Sequence, residues 1–98
     1  MATIYQERME SDIDYPGIIE RVGRNNQGKV ARIRDKLRER DIRTYGSLIE
    51  AANEQARVEG SGAVVRKKVE KYLGDIEGIG ARSVEIVLRE LNRLELVW

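Results

Sequence analysis

At 98 residues, with 18 Lys and Arg against 17 Asp and Glu and a net charge of +1, the chain fits one small domain and leaves no room for a second full-sized core. Cysteine and histidine are both absent, which excludes a disulfide framework, thiolate metal sites and the usual acyl-transfer constellations. No apolar stretch approaches the ~20 residues of a membrane span, and charge interrupts Met1 to Glu10 where a signal peptide would be apolar, so a cytoplasmic protein without membrane contact is expected.

A single proline, no phenylalanine and 36% charged residues suit amphipathic helices better than a turn-rich β fold. The near-neutral total hides a polarity along the chain. Met1 to Gly23 carries Arg8 and Arg21 against Glu7, Glu10, Asp12, Asp14 and Glu20, a net −3. Arg24 to Arg43 carries eight Lys and Arg against three acids, a net +5, the kind of asymmetry that points to an anionic partner. Residues 1–23 therefore read as an acidic N-terminal arm, placed to fold over the basic segment and compete with its ligand, and residues 24–98 as the helical domain. Within the arm, Ile4 to Ile13 reads as a short helix or an ordered stretch, and Tyr15-Pro16-Gly17 as a turn.

Four helices follow. Val30, Ile33 and Leu37 share the buried stripe of a helix from about Asn26 to Asp41. Thr44 is a good cap for a second, running to about Val58 with Tyr45, Leu48, Ile49, Ala52 and Ala56 inward. Gly60-Ser61-Gly62 breaks it, and Ser61 is expected to cap a third helix from Ala63 to Leu73 with Val65, Val69, Tyr72 and Leu73 inward. The fourth spans Ala81 to about Leu94 on a stripe of Val84, Val87, Leu88, Leu91 and Leu94, and the apolar tail Leu96-Val97-Trp98 is expected to dock on the core.

The most informative motif joins the last two helices. In Gly78-Ile79-Gly80-Ala81-Arg82-Ser83, an apolar residue between two glycines can plug the core while bare backbone on either side approaches a ligand. The second glycine, expected at positive φ, leads into a helix start whose free N–H groups and positive dipole end favour a phosphate, with Arg82 and Ser83 adding a cation and a hydroxyl. The same three residues are also what a tight helix-helix corner requires. A second signal is the basic stripe of Lys29, Arg32, Lys36 and Arg40, which falls within a sector of about 80° at about 100° per residue. Such a row can follow phosphates or can simply be a solvated face. Arg66-Lys67-Lys68 is a third and weaker basic cluster, interrupted by Glu70.

Arg34-Asp35-Lys36-Leu37-Arg38, Thr44-Tyr45-Gly46-Ser47-Leu48-Ile49-Glu50-Ala51-Ala52, Val64-Val65-Arg66-Lys67-Lys68-Val69 and the glycine hairpin with Ala81-Arg82-Ser83-Val84 resemble, in order and spacing, the actinobacterial integration host factor family. The resemblance runs from Arg32 to Leu91 and leaves the acidic arm unexplained. It implies an all-α, helix-two-turns-helix or helix-hairpin-helix domain like that of ribosomal protein S13, nucleoid-associated, that binds and bends double-stranded DNA with little sequence preference and assists phage integration beside an integrase or other nucleoprotein partner. It implies the glycine hairpin and the start of the last helix at the DNA, with the basic first helix as a second surface; together with the basic clusters read above, the expected DNA contacts are Lys29, Arg32, Lys36, Arg40, Arg66, Lys67, Lys68, Gly78, Ile79, Gly80, Ala81, Arg82 and Ser83. Glu77 and Ala81 depart from the family, which usually has Pro and Lys there, and this shifts the expected phosphate contact toward Arg82 and Lys68.

Enzyme readings fare poorly. Asp12/Asp14 and Asp75/Glu77 lie among ordinary charges with no apolar surroundings implied to perturb them, and Gly78-Ile79-Gly80 lacks the Lys-Ser/Thr ending of a P-loop. No catalytic residue, metal or cofactor is expected. The alternative to a DNA-binding protein is an interaction module whose basic helix docks an acidic partner. Retardation of duplex DNA at low salt separates the two.

Overall fold

The computed structural model describes residues 4–60 and 62–97; the expected Ser61 cap and the docking of Trp98 lie outside the described residues. Among the described residues the chain is all-helical: α1 (Ile4–Glu10), α2 (Tyr15–Val22), α3 (Gln27–Glu39), α4 (Tyr45–Val58), α5 (Val65–Gly74) and α6 (Ala81–Arg93), with a short 3-10 turn, Arg24–Asn26, ahead of α3. No helix among these residues is long and apolar enough to cross a membrane.

The first two helices change the reading of the N-terminal segment. Tyr15-Pro16-Gly17 is the opening turn of α2 rather than a free turn. The Asp14 carboxylate accepts from the Gly17 N–H at 3.1 Å, and Pro16 sits where a missing N–H costs nothing. Gly23, at φ 95, ends the helix. Residues 11–13 run antiparallel to residues 43–45, through an Ile13 N–H to Arg43 carbonyl bond of 3.0 Å, a Tyr45 N–H to Ser11 carbonyl bond of 3.2 Å and a bridge between Asp12 and Thr44. Ile13 and Ile18 are buried in the one hydrophobic core, with Met9, Tyr15, Ile19 and Val22 packed against it. The arm expected to lie across the basic segment is thus built into the fold over residues 4–22, and removing residues 1–20 would open the core rather than uncover a surface.

Gly46 explains how α1 can lie so close to α4. A Cβ at Gly46 would stand 2.7 Å from the Met9 carbonyl oxygen, a backbone atom that cannot swing aside. Gly46→Ala is therefore expected to destabilise the protein by about 1–3 kcal/mol from overpacking, less the ~1 kcal/mol of helix propensity that alanine returns. A thermal melt at or above the parent's temperature would show that α1 does not seat there.

The four later helices form as their apolar spacing predicts. Val30, Ile33 and Leu37 of α3 are buried, as are Tyr45, Leu48, Ile49, Ala52 and Ala56 of α4 and Val69, Tyr72 and Leu73 of α5. Thr44 and Ser47 form a reciprocal capping box on α4. The small alanines let α4 lie along α5, the most extensive helix pairing in the fold. Boundaries differ modestly. α3 begins after the 3-10 turn, and it ends with Asp41 at φ 59 and the Ile42 N–H returning to the Leu37 carbonyl at 2.9 Å, a Schellman closure made without glycine. α5 begins at Val65 with Val64 at the capping position, two residues after the expected start at Ala63. On α6, Leu94 is only half-buried while Ile86 and Glu90, outside the expected stripe, are buried. Leu96 and Val97 of the tail are buried in the core as expected.

Candidate nucleic-acid interface

α5 and α6 are joined by a hairpin held at two points. Ile76 and Ile79 are both buried, and the Ile79 N–H donates to the Ile76 carbonyl at 3.2 Å, so the Glu77-Gly78 backbone between them is pushed to the surface. Gly78 has φ 94, a region that costs any residue with a Cβ. Gly80 does not: it is extended, at φ −90 and ψ 177, and caps α6 with its carbonyl accepting from the Val84 N–H at 3.1 Å. The sequence expectation of a positive φ at Gly80 is corrected to Gly78, because the chain reverses before Ile79 enters the core, not after it.

α3 lies against this hairpin. A Cβ on Gly78 would meet Lys36 Cε at 3.0 Å and Arg32 Cδ at 3.8 Å, so the stems of both cations run across the bare glycine. Beside them an open cleft of ≈ 490 Å³ is lined by Asn25, Gly28, Lys29, Arg32, Gly78, Gly80, Arg82 and Ser83, with no carboxylate among them. The basic stripe of α3 and the glycine hairpin, which the sequence shows as separate signals, share one concave surface.

Charge pairing sharpens the picture. Among the described residues Lys29, Arg32 and Lys36 make no ion pair, so their charge is not offset within the fold. Arg82 is paired with Glu85 at 3.1 Å, and Glu85 also takes Arg89 at 3.0 Å; both are exposed pairs, which hold a cation loosely. Ser83 is buried at 6% exposure yet lines the cleft. Ile79 is the plug that the motif implies, buried beneath the hairpin.

Other expected site residues fall elsewhere. Arg40, in the residue that closes α3, lies over the Tyr72 ring at 6.0 Å from its centre and does not line the cleft. Arg66 and Ala81 line a groove between α5 and α6 in company with Glu70, Glu85 and Arg89. Lys67 pairs with Glu70 at 3.7 Å, and with Lys68 it lines a separate groove along α4 and α5 that also holds Glu59, Lys71 and Asp75. The cause is helical phase: successive cations on α5 point in different directions, and those grooves mix acids with bases. Glu77 is exposed and does not line the cleft. Asn25 and Gly28 are not among the residues expected from the sequence, although Gly28 lies one turn before Arg32 and Asn25, in the 3-10 turn, four residues before Lys29.

The described residues contain no group of three or more acids that could hold a metal ion. Comparison with protein-family models, curated proteins and solved structures finds no match to this chain.

Proposed function

We propose that the protein binds duplex DNA with low sequence specificity, through its backbone and shape, as a nucleoid-associated protein does. The observation that carries this reading is that Lys29 and Arg32 line one carboxylate-free cleft with Gly78, Gly80, Arg82 and Ser83, while the Lys36 stem crosses Gly78 beside it, none of the three α3 cations being paired among the described residues. Cations and helix-start N–H groups recognise phosphate and carry no base code, which is why little sequence preference is expected. The resemblance to the integration host factor family adds the helix-two-turns-helix assignment, DNA bending and a nucleoprotein partner such as an integrase. The order of α3, α4, α5, hairpin and α6 is compatible with that assignment.

The test is a gel shift of a random-sequence duplex at low salt, followed by a salt series. Each phosphate contact contributes a slope of about −0.9 in log K against log salt. Arg32→Ala with Lys36→Ala is expected to reduce the slope by about two contacts' worth, whereas Arg40→Ala, whose side chain lies over Tyr72, should leave it unchanged. A parent protein that leaves duplex DNA unshifted would return the chain to the interaction-module reading.

A further inference from the structure

The fold leaves charges of opposite sign unpaired at two separate places. Lys29 and Arg32, both exposed, line the carboxylate-free cleft without an ion pair among the described residues. Glu7 and Glu10 of α1 are likewise exposed and pair with no cation among the described residues. The one base of α1, Arg8, is engaged elsewhere: it donates to the Leu94 carbonyl at 2.7 Å and stands 4.0 Å from Glu95. α1 brings no residue into the core, and Ile4 is 66% exposed.

These charges do not screen one another within the chain. Leu94, to which Arg8 bonds, closes α6, whereas Gly80, Arg82 and Ser83 at the start of that helix line the cleft. Thirteen residues of helix, about 20 Å, lie between, more than twice the ~8 Å over which exposed charges act at physiological salt. α1 does not swing across that gap, because Met9 is seated against Gly46 and Asp12 is bridged to Thr44. A second copy of the chain carries the counter-charge that each face lacks.

We propose that α1 of one copy docks antiparallel along α3 of the next, Glu10 meeting Lys29 and Glu7 meeting Arg32, with Ile4 on the aliphatic stem of Lys36 where it crosses Gly78. The spacing fits. Glu7 and Glu10 are three residues apart, as are Lys29 and Arg32, so each pair stands one turn apart with Cβ atoms about 5–6 Å from each other. Ile4 lies a further turn before Glu7, and Lys36 a further turn beyond Arg32. Ile4, Glu7 and Glu10 share a sector of about 120° on α1. The contact joins different faces of the two copies, so it propagates head to tail rather than closing as a twofold dimer. A seven-residue helix buries little area, which makes the association transient and sensitive to salt. The docking does not rest on the DNA reading; where that reading holds, duplex and second copy exclude one another at Lys29 and Arg32.

Sedimentation velocity on the full chain, from low salt to about 0.5 M, where screening leaves charges a reach of only a few ångströms, tests the contact. The parent is expected to sediment faster than a monomer at low salt and as a monomer at high salt. Glu7→Gln with Glu10→Gln, and separately Lys29→Gln with Arg32→Gln, replace exposed side chains and should melt like the parent, yet each should sediment as a monomer at low salt. Mixed, the two variants should recover one contact, between the intact α1 of the second and the intact cleft of the first, giving a two-chain complex and nothing larger. A parent that stays monomeric at low salt, a variant that still associates alone, or a mixture that recovers nothing overturns the docking, whatever duplex DNA does. If the mixture pairs, and a random-sequence duplex dissolves the parent's assemblies and binds the Glu7/Glu10 variant, both readings hold. If the mixture pairs but no duplex binds, the docking stands and the DNA reading falls.

Discussion

Replacing Arg21 and Arg93 together by alanine is expected to destabilise the protein by about 3–5 kcal/mol, the cost of leaving a buried carboxylate without its counter-charges. The carboxylate is that of Glu90, 5% exposed on α6. Arg21 Nε on α2 donates to Glu90 Oε1 at 3.0 Å, and a second Arg21 N–H reaches Oε2. Arg93 donates to the two oxygens at 3.0 and 3.2 Å. The Tyr45 hydroxyl on α4 donates to Oε2 at 3.3 Å while accepting from the Asp14 N–H at 3.1 Å. One side chain thus ties α2, α4 and α6 together. Each arginine is partly exposed, 36% and 49% for the side chains of Arg21 and Arg93, so either single substitution should cost much less than the pair. For a domain of this size the pair represents a large share of the total stability.

The same cluster sets an acid limit. Burial pushes the Glu90 carboxyl up, but the hydrogen bonds and charges of Arg93 and Arg21 outweigh it and hold the group below its ordinary value of 4.5. A depressed carboxylate stabilises the fold fully above its unfolded pKa and loses that contribution as pH falls through the lower folded value. The melting temperature should therefore drop as pH falls below 4.5, and Glu90→Gln should lack that step. An unchanged acid profile in Glu90→Gln would mean that other carboxylates govern acid unfolding.

Glu90 also shows where reading the sequence stops. The stripes of α3, α4 and α5 are local properties, legible because each helix buries one face at a spacing its own residues reveal. The stripe that spacing reveals on α6 omits Ile86 and Glu90, both buried, because their side of the helix is covered by a segment distant in sequence. Pro16, a turn signal on its own, conceals α2. Yet Asp14, Pro16 and Gly23 together spell a cap, a first turn and a stop. The candidate site divides in the same way. The α3 stripe and the glycine hairpin were each visible in the sequence. Their meeting at Gly78 depends on how α3 packs beside α6, which no local pattern encodes, and the cations of α5 diverge around their helix into two grooves that also hold acids.

Gly80→Asp is expected to cut duplex affinity by about a hundredfold, while leaving the protein as stable as the parent or slightly more so. A positive φ at this position would have made the substitution ambiguous, lowering stability and binding together. The extended backbone at φ −90 and ψ 177 removes that ambiguity, and a Cβ there meets no neighbouring atom. Gly80 is the cap of α6 and makes no side-chain hydrogen bond, so an aspartate can accept from the first-turn N–H groups and interact favourably with the helix dipole, a gain of a few tenths of a kcal/mol over glycine. That same carboxylate occupies the cleft beside Arg82 and Ser83 and competes with a phosphate for the same donors. Arg82→Glu is the less clean partner, because it breaks the pair with Glu85 and sets two acids three residues apart on one helix face. Melting curves and gel shifts on Gly80→Asp then separate two roles for the hairpin. Retained stability with lost binding is the signature of a phosphate-binding helix start. Retained stability with unchanged binding would reduce the hairpin to a corner between helices, and the duplex would have to meet the protein on another face.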